Sequence, residues 1–437
     1  MTNCTQESFQ FPACKRRKVE ANFQGGDITS DGGVLLLQQA DRRLGLTEAI
    51  ARILDDPRRQ ASVDHNGLNL LRQRIYGLGL GYEDLIDHET LRQDLAIQTA
   101  LGRTEELASS STLCRWENRA DRETAGRMHE VIVEQFIASF KKAPKKLILD
   151  FDATDDAVHG QQEGRFFHGY YDHYCFLPLY VFCGRQLLVS YLRPSKIDGA
   201  KHAWAILALL VKRLRQAWPQ VKIIFRGDSG FCRWRMLSWC ERNHVGYIVG
   251  IAKNQRLNAL TAQLQRDAKE CYAELGTKVR WFSDIQYAAG SWNRRRRVIA
   301  KIEHTGKGSN PRYVVTNLSG DAKMLYEKLY CARGEMENRI KEQQLDLFAD
   351  RTSCHRWWPN QFRLLLSSLG YMLLEAIRRL ALKGTELANA YVGTLRLKLL
   401  KIGAVILRNT RRVRFLLSSA YPHQRLFLQV AARLAPD

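Results

Sequence analysis

Hydrophobic spacing divides the chain into a helical first third, an alternating middle and a largely helical end. Between Ser30 and Lys142 the apolar positions recur at helical intervals. Ser30-Asp31 precedes the apolar run Val34 to Leu37, a helix-start signal. Leu68, Leu70, Leu71 and Ile75 predict a second amphipathic helix, closed by Gly77, Gly79 and Gly81. Tyr82-Glu83-Asp84-Leu85 opens a further one through Leu91 and Leu95. The hydroxyl run Ser109 to Thr112 supplies caps for a short helix that carries Arg115, Arg119 and Arg122.

From Lys146 the period changes to two. Residues 147–152 predict a strand, 176–182 and 186–192 a hairpin around Gly184-Arg185, and 203–218 a helix. A strand at 221–225, a helix at 234–243 and a strand at 246–251 follow. Three strands, helix, strand, helix, strand predicts a mixed α/β sheet with helices on both faces, the element order of the ribonuclease H fold. Strand-like alternation over 281–287, 297–304 and 312–316 predicts an inserted β-rich subdomain. A long helix over 323–345, a core helix over 359–382, a hairpin within 401–418 and a last helix over 424–434 complete the reading.

The predicted organisation is a flexible basic tail over 1–22, a helical DNA-binding domain over 23–142, a first core part over 143–254 and the insertion over 255–325. A second, helical core part over 326–400 and a basic hairpin with a helix over 401–437 follow.

Charge sharpens this picture. A net charge of +22 over 437 residues favours a polyanionic partner, since each phosphate contact releases counterions. Arg115 and Arg119 are candidates to lie against DNA, as in helix-turn-helix modules, although small basic helical domains are common and the whole-chain charge is what tips the reading. Trp292 beside Arg294 and Arg295 joins an aromatic to a basic run, a combination suited to nucleic acid, with a solvated turn as the rival. The ten cysteines show no zinc spacing, and no apolar signal core or membrane-length segment is evident, so a cytoplasmic protein with reduced thiols is expected. His159, His168, His173 and Cys175 match no common zinc pattern, and Phe166-Phe167 and Tyr170-Tyr171 read as packing residues.

Three acids stand out in this basic chain: Asp152 at the end of the first strand, Asp228 in a glycine-flanked turn after the fourth, and Glu337 on the long helix. If the first and fourth strands are parallel neighbours, their acidic ends converge on one rim and a helix packed across it adds the third. Such oxygen donors suit hard divalent cations, and two of them roughly 4 Å apart stabilise the attacking and leaving oxygens of phosphoryl transfer. Asp150 and Asp152 share one strand face by parity, so both are candidate ligands; Asp152 lies nearer the rim. Tyr330, Arg333, Glu337 and Lys341 share a helix face, where the two cations can hold the Glu ionised and meet phosphates; a plain salt-bridged face is the alternative.

Asp152-x-Thr154, the later Asp228 and Tyr330-x2-Arg333-x3-Glu337 resemble bacterial insertion-sequence transposases with an Asp-Asp-Glu site. So do Gly81-Tyr82-Glu83-Asp84-Leu85, Asp152 to Asp156 with His159-Gly160-Gln161-Gln162-Glu163, and Asn360-Gln361-Phe362-Arg363. The resemblance runs from about residue 23 to 430. It implies that Asp152, Asp228 and Glu337 are catalytic metal ligands for two Mg²⁺ ions, with Mn²⁺ as a substitute, and that Tyr330 and Arg333 are signature partners. It also implies double-stranded DNA as partner (transposon ends and target), a homodimer in the synaptic complex and a nucleoid-associated bacterial setting. A DNA nuclease or resolvase on the same fold, or a DNA-binding relative without catalysis, are the rival readings. One departure stands at position 344, where the group carries Lys and this chain has Gln; Lys341, one turn from Glu337, is the candidate replacement.

Overall fold

The alternating middle of the chain builds one large mixed sheet. The computed structural model describes residues 8–59 and 62–435. Residues 117–368 form one unit, and the residues before and after them form another.

In the 117–368 unit the strands of the large sheet, in chain order, begin with β1 (Lys146–Ala153), β2 (Leu179–Cys183) and β3 (Gln186–Tyr191). Helix α1 (Ala203–Ala217), β4 (Lys222–Gly227), α2 (Trp234–Arg242) and β5 (Gly246–Ile251) follow, and then β6 (Val279–Tyr287), β7 (Arg296–Thr305) and β8 (Arg312–Thr316). Across the sheet the order is β6-β7-β8-β5-β4-β1-β2-β3, with Gly308–Ser309 paired to β7. β4 is parallel to both β1 and β5, and every other pairing among these strands is antiparallel.

Alternation along β1 decides which way each side chain faces. Leu147, Leu149 and Phe151 are buried in the main core with Val181, Leu207, Phe225 and Leu237. Phe151 meets Phe225 edge to face at 5.1 Å. Full burial of each such side chain contributes about 1.5–3 kcal/mol. On the opposite face, Ile148 joins Ile224, Ile248, Val314 and Tyr326.

Two expectations change here. Residues 255–325 begin with helices Gln255–Leu260 and Ala262–Leu275, and their strands extend the large sheet instead of forming a sheet of their own. Tyr313 to Thr316 of β8 pair with Ile248 to Ile251, so β5 has no exposed edge. Strand alternation identifies a strand but not the sheet it joins. The strand expected over 176–182 is divided at Pro178, which has no N–H to continue a ladder. His173–Phe176 before it pairs with Asp156–Ala157 and Phe166–His168 in a small three-stranded sheet.

The helix expected over 323–345 is present but irregular. It starts at Ala322–Met324, widens to π turns over Leu325–Tyr330, tightens over Cys331–Arg333, is α-helical over Gly334–Lys341 and widens again over Glu342–Asp346. The core helix runs from Trp357 to Ile377. Its Asn360-Gln361 pair has a clear task. Gln361 Oε1 accepts from the Leu192 amide at 2.7 Å and its Nε2 donates to the Ser190 carbonyl at 3.0 Å, continuing the hydrogen-bonding of β3 past its end. Asn360 exchanges two hydrogen bonds with the Cys354 backbone.

The other unit is helical around Val34–Leu44, Leu46–Ile53, Gly67–Leu80, Asp87–Leu91 and Leu95–Ala100, with a closing helix Gln424–Leu434. Its sheet joins Ile28–Thr29, Ala404–Arg408 and Val413–Leu417. Helix Gly67–Leu80 runs through Gly77 and Gly79 and stops only at Gly81. The helix expected from Tyr82 through Leu95 is instead two, because Asp94 caps the Ile97 amide at 2.9 Å and starts a new one. Tyr82 is a packing residue: its hydroxyl donates to buried Asp31 at 2.7 Å, and Lys401 lies 4.2 Å over its ring. The tail expected to be flexible contains an antiparallel hairpin of Phe9–Cys14 with Arg17–Ala21; residues 1–7 lie outside the described residues. No described helix is long and apolar enough to cross a membrane.

His88, fully buried in this unit, gives a pH prediction. Burial and the Arg74 guanidinium, 3.1 Å from its Nε2, push the imidazole down to about 3 from an ordinary 6.5. A depressed histidine contributes stability that is present above 6.5 and lost as pH falls toward the folded value. Between pH 7 and pH 4 the loss is about 3 kcal/mol. His88→Gln should flatten the fall in melting temperature over that window; an unchanged slope would assign the acid sensitivity elsewhere.

Candidate active site

Parallel pairing of β1 with β4 sets two layers of side chains on one face. The register places Arg226 opposite Asp150 and Gly227 opposite Phe151, so Asp228 follows at the level of Asp152. In the lower layer Arg226 clamps Asp150: Nε donates to Oδ1, and Nη2 to Oδ2 at 2.7 Å. Both side chains are buried. Arg226 Nη1 also donates to the carbonyl of Leu329 and so ties the irregular helix to the sheet. Asp150 is thus a paired structural acid, and Arg226 faces it, not solvent.

In the upper layer the Arg333 guanidinium spans two carboxylates, 3.1 Å from Asp152 Oδ2 and 2.7 Å from Glu337 Oε1. Burial pushes the Asp152 carboxyl up to about 6; Arg333 opposes the rise, while Asp228 and Glu337 add to it. Asp228 and Glu337 therefore both act on Asp152 at the end of β1. Asp228 caps the following turn by accepting from the Gly230 amide at 2.9 Å. Gly227 and Gly230 have ordinary negative φ, so the turn needs their small size and not their backbone freedom. A Cβ on Gly230 would sit 3.0 Å from Asp228 Oδ1.

Tyr330 stands over the same turn. A Cβ on Gly250 of β5 would lie 2.6 Å from the Tyr330 hydroxyl and 3.0 Å from the Ser229 amide. Gly250 is what lets the helix and the Asp228 turn close on β5, and no spacing rule in the sequence pointed to it. Burial raises the Tyr330 phenol, and neighbouring Asp228 adds to this while Arg333 opposes it.

The remaining expected residues are spread out. Lys341 is exposed, one turn beyond Glu337. Gln344, at the departing position, donates to the Asp155 carbonyl at 2.8 Å and holds the loop after β1. Trp292 is half-buried against the core, in an edge-to-face contact with Tyr287 at 5.4 Å and with the Arg296 guanidinium 5.3 Å over its ring. Arg294 is exposed but pairs with Glu241 at 2.8 Å, and Arg295 is exposed. Arg115 is exposed on helix Ser110–Glu117; Arg119, also exposed, falls beyond that helix's end. Of the aromatics read as packing, Tyr171 is half-buried against Tyr170, His168 and His173. Phe166, Phe167 and Tyr170 are exposed on the small sheet and its loop, as is Tyr174, edge to face with Phe167. Arg165 lies 4.5 Å over Tyr174 and Lys196 5.3 Å over Phe166.

A family model described as transposase DDE domain group 1 matches residues 11–437. The chain belongs to that family. Among solved structures it is similar to a piggyBac transposase synaptic complex with hairpin DNA, at 10% identity over 90% of this chain and 82% of that one, with a TM-score of 0.42. No curated protein matches it.

DDE transposases generally use divalent metal ions. Among the described residues no three His, Cys, Asp or Glu side chains are gathered closely enough to hold one as they stand. The donor set nevertheless fits such an ion. Asp152, Asp228 and Glu337 are hard oxygen donors; burial raises Asp152 and the other two acids add to it, and the place between Asp152 and Glu337 is held by the cationic group of Arg333. In this transposase the guanidinium spans the carboxylates that a divalent ion would draw together.

Proposed function

We propose that this DDE transposase binds the terminal inverted repeats of its own insertion sequence, cleaves the DNA there and joins the freed 3′ ends to target DNA. The observation that supports the reading is the Arg333 guanidinium spanning Asp152 and Glu337, with Asp228 acting on Asp152 from the end of the adjacent parallel strand. The core from β1 to β5 is read as ribonuclease H-like, on the strand order β3-β2-β1-β4-β5 within the larger sheet. Asp152, Asp228 and Glu337 would hold two Mg²⁺ ions, with Mn²⁺ able to replace them. When bound there, such ions supply Lewis acidity and a more acidic water at the scissile phosphate.

The chain's own residues orient the DNA. Arg333, released from its carboxylates, is placed to meet a phosphate oxygen beside the scissile bond, and Tyr330 fixes the turn that presents Asp228. In the joining step the 3′-oxygen forms a bond to target phosphorus as the target strand's own 3′-oxygen leaves. One phosphodiester replaces another, so no external energy source is needed. Exposed Arg115, Arg119, Arg295, Arg411, Arg412 and Arg414, together with Lys341, are assigned to the DNA backbone, in keeping with the net charge of +22. The helical N-terminal segments and the C-terminal basic hairpin are assigned to end binding, and a homodimer is assigned to synapsis.

The test is incubation with terminal-repeat DNA, a target plasmid and Mg²⁺. Joined products are expected. Cut but unjoined ends would support a nuclease or resolvase instead, and end binding without cleavage in Mg²⁺ or Mn²⁺ would support a non-catalytic relative.

A further inference from the structure

Near the start of the chain, the hairpin of Phe9–Cys14 with Arg17–Ala21 stands open to solvent. Every residue from Ser8 to Ile28 is exposed except half-buried Val19. An exposed linker, Asn22 to Asp27 with Gly25-Gly26 inside it, joins the ribbon to the strand Ile28–Thr29. A two-stranded sheet with water on both faces buries too little to hold itself together well, so this ribbon needs a partner to cover it.

Its side chains say what kind of partner. Lys15, Arg16, Arg17 and Lys18 follow one another at the tip, all exposed, and Glu20 is the one acid between Ser8 and Phe23. Lys15 and Arg16 make the turn, and Lys15 takes a φ of 59°, a place that hairpin turns usually give to Gly or Asn. The tip thus carries a cation where a smaller residue would cost less. Phe9 and Phe11 share one face, opposite Ala21 and Val19, and Phe23 meets Phe9 edge to face at 5.9 Å. The three rings are 48%, 57% and 83% exposed, so this apolar face is open.

Duplex DNA answers both features. Its phosphates take the cations, and thymine methyls in the major groove take apolar contacts from side chains such as Phe. Paired strands lie about 4.8 Å apart, and with side chains added they fit a groove about 12 Å wide but not one about 6 Å wide, which selects the major groove. Where Pro12-Ala13 faces Lys18 the register slips, a bulge that adds twist to the ribbon.

We propose that the hairpin Phe9–Ala21 is a DNA-binding ribbon that lies in the major groove of a duplex, with its four tip cations on phosphates and its Phe9 and Phe11 face on base edges. The inference rests on the transposase reading for its partner and adds an element outside the helical segments assigned to end binding.

The test is binding of the full-length protein, without divalent metal, to a labelled duplex carrying its terminal repeat and to an unrelated duplex, over a range of salt. Lys15→Gln/Arg16→Gln/Arg17→Gln/Lys18→Gln should weaken binding to both at least about tenfold. It should also lower the slope of log affinity against log salt by about 2–4, since each lost phosphate contact removes about 0.9. Phe9→Ser/Phe11→Ser should keep the slope and weaken the terminal-repeat duplex more than the unrelated one. Wild type should protect guanine N7, in the major groove, from dimethyl sulfate, and the tip variant should lose part of that protection. The altered residues are exposed, so both variants should melt with wild type. Unchanged affinity and slope in the tip variant overturns the proposal. So does protection lost only at adenine N3, in the minor groove. Two other results overturn it with DNA binding kept: loss of self-association in Phe9→Ser/Phe11→Ser, which would give the face to a second copy, and tip-dependent capture of phosphatidylglycerol vesicles. DNA bound through the tip but never cut would sustain the ribbon and remove only the catalytic reading, whereas wild type that binds neither duplex would overturn both.

Discussion

Asp152→Asn is expected to lower Mg²⁺-dependent strand cleavage by at least about 10²–10³-fold, the scale on which loss of one group that stabilises transition-state charge registers. Glu337→Gln should act in the same direction. The substitution keeps the shape of the side chain and its place at the end of β1, so DNA binding should survive in a gel-shift assay. Stability separates this loss from misfolding. Burial raises the Asp152 carboxyl to about 6 in the folded protein. A raised acid contributes stability that is present below its unfolded value and lost as pH rises through 6. At pH 7.5 without divalent ions the ionised group is therefore a burden, and Asn removes it. The variant should melt no lower than wild type at pH 7.5, while wild type gains on it as the pH falls below 6. Normal cleavage by Asp152→Asn and by Glu337→Gln would remove these acids from the chemistry.

Much of this site was legible because β1 states its own geometry. Leu147, Leu149 and Phe151 against Ile148, Asp150 and Asp152 is a strict alternation, and the two faces pack as that parity requires. What parity cannot give is the partner. Asp150 and Asp152 are equivalent in pattern, and only the parallel register, which sets Arg226 opposite Asp150, separates a structural pair from the acid at the rim. The same limit explains β6, β7 and β8, whose alternation was clear but whose continuation of the large sheet depends on long-range pairing. Gly250 was invisible for another reason: a glycine needed for a close approach looks like any other until the Tyr330 hydroxyl arrives beside it. Phe166, Phe167, Tyr170 and Tyr171 show a third limit: their pairing marks strand and loop packing, but not how much of each ring stays in solvent. Only Tyr171 of the four is half-buried, with Lys196 5.3 Å over exposed Phe166.

The buried Asp150–Arg226 pair yields the largest expected effect on stability. Arg226→Met leaves Asp150 buried without its cation and the Leu329 carbonyl without its donor. Breaking such a pair costs about 3–5 kcal/mol, which should lower the melting temperature by on the order of 10 °C. The pair itself contributes far less than that, because burial keeps the Asp150 carboxyl above its ordinary range even with Arg226 in place. Asp150→Leu/Arg226→Met, which replaces both charges with apolar groups, should therefore recover most of the lost stability. Cleavage should not recover with it. Arg226 holds the carbonyl of Leu329, one residue before Tyr330, and the helix it anchors carries Arg333 and Glu337. Without that anchor the third acid is free to shift relative to Asp152, so the double variant should fold and bind DNA while kcat stays low and KM is little changed. If Arg226→Met melts with wild type, the pair is not a determinant of stability. If the double variant regains full turnover, Arg226 does not position the helix.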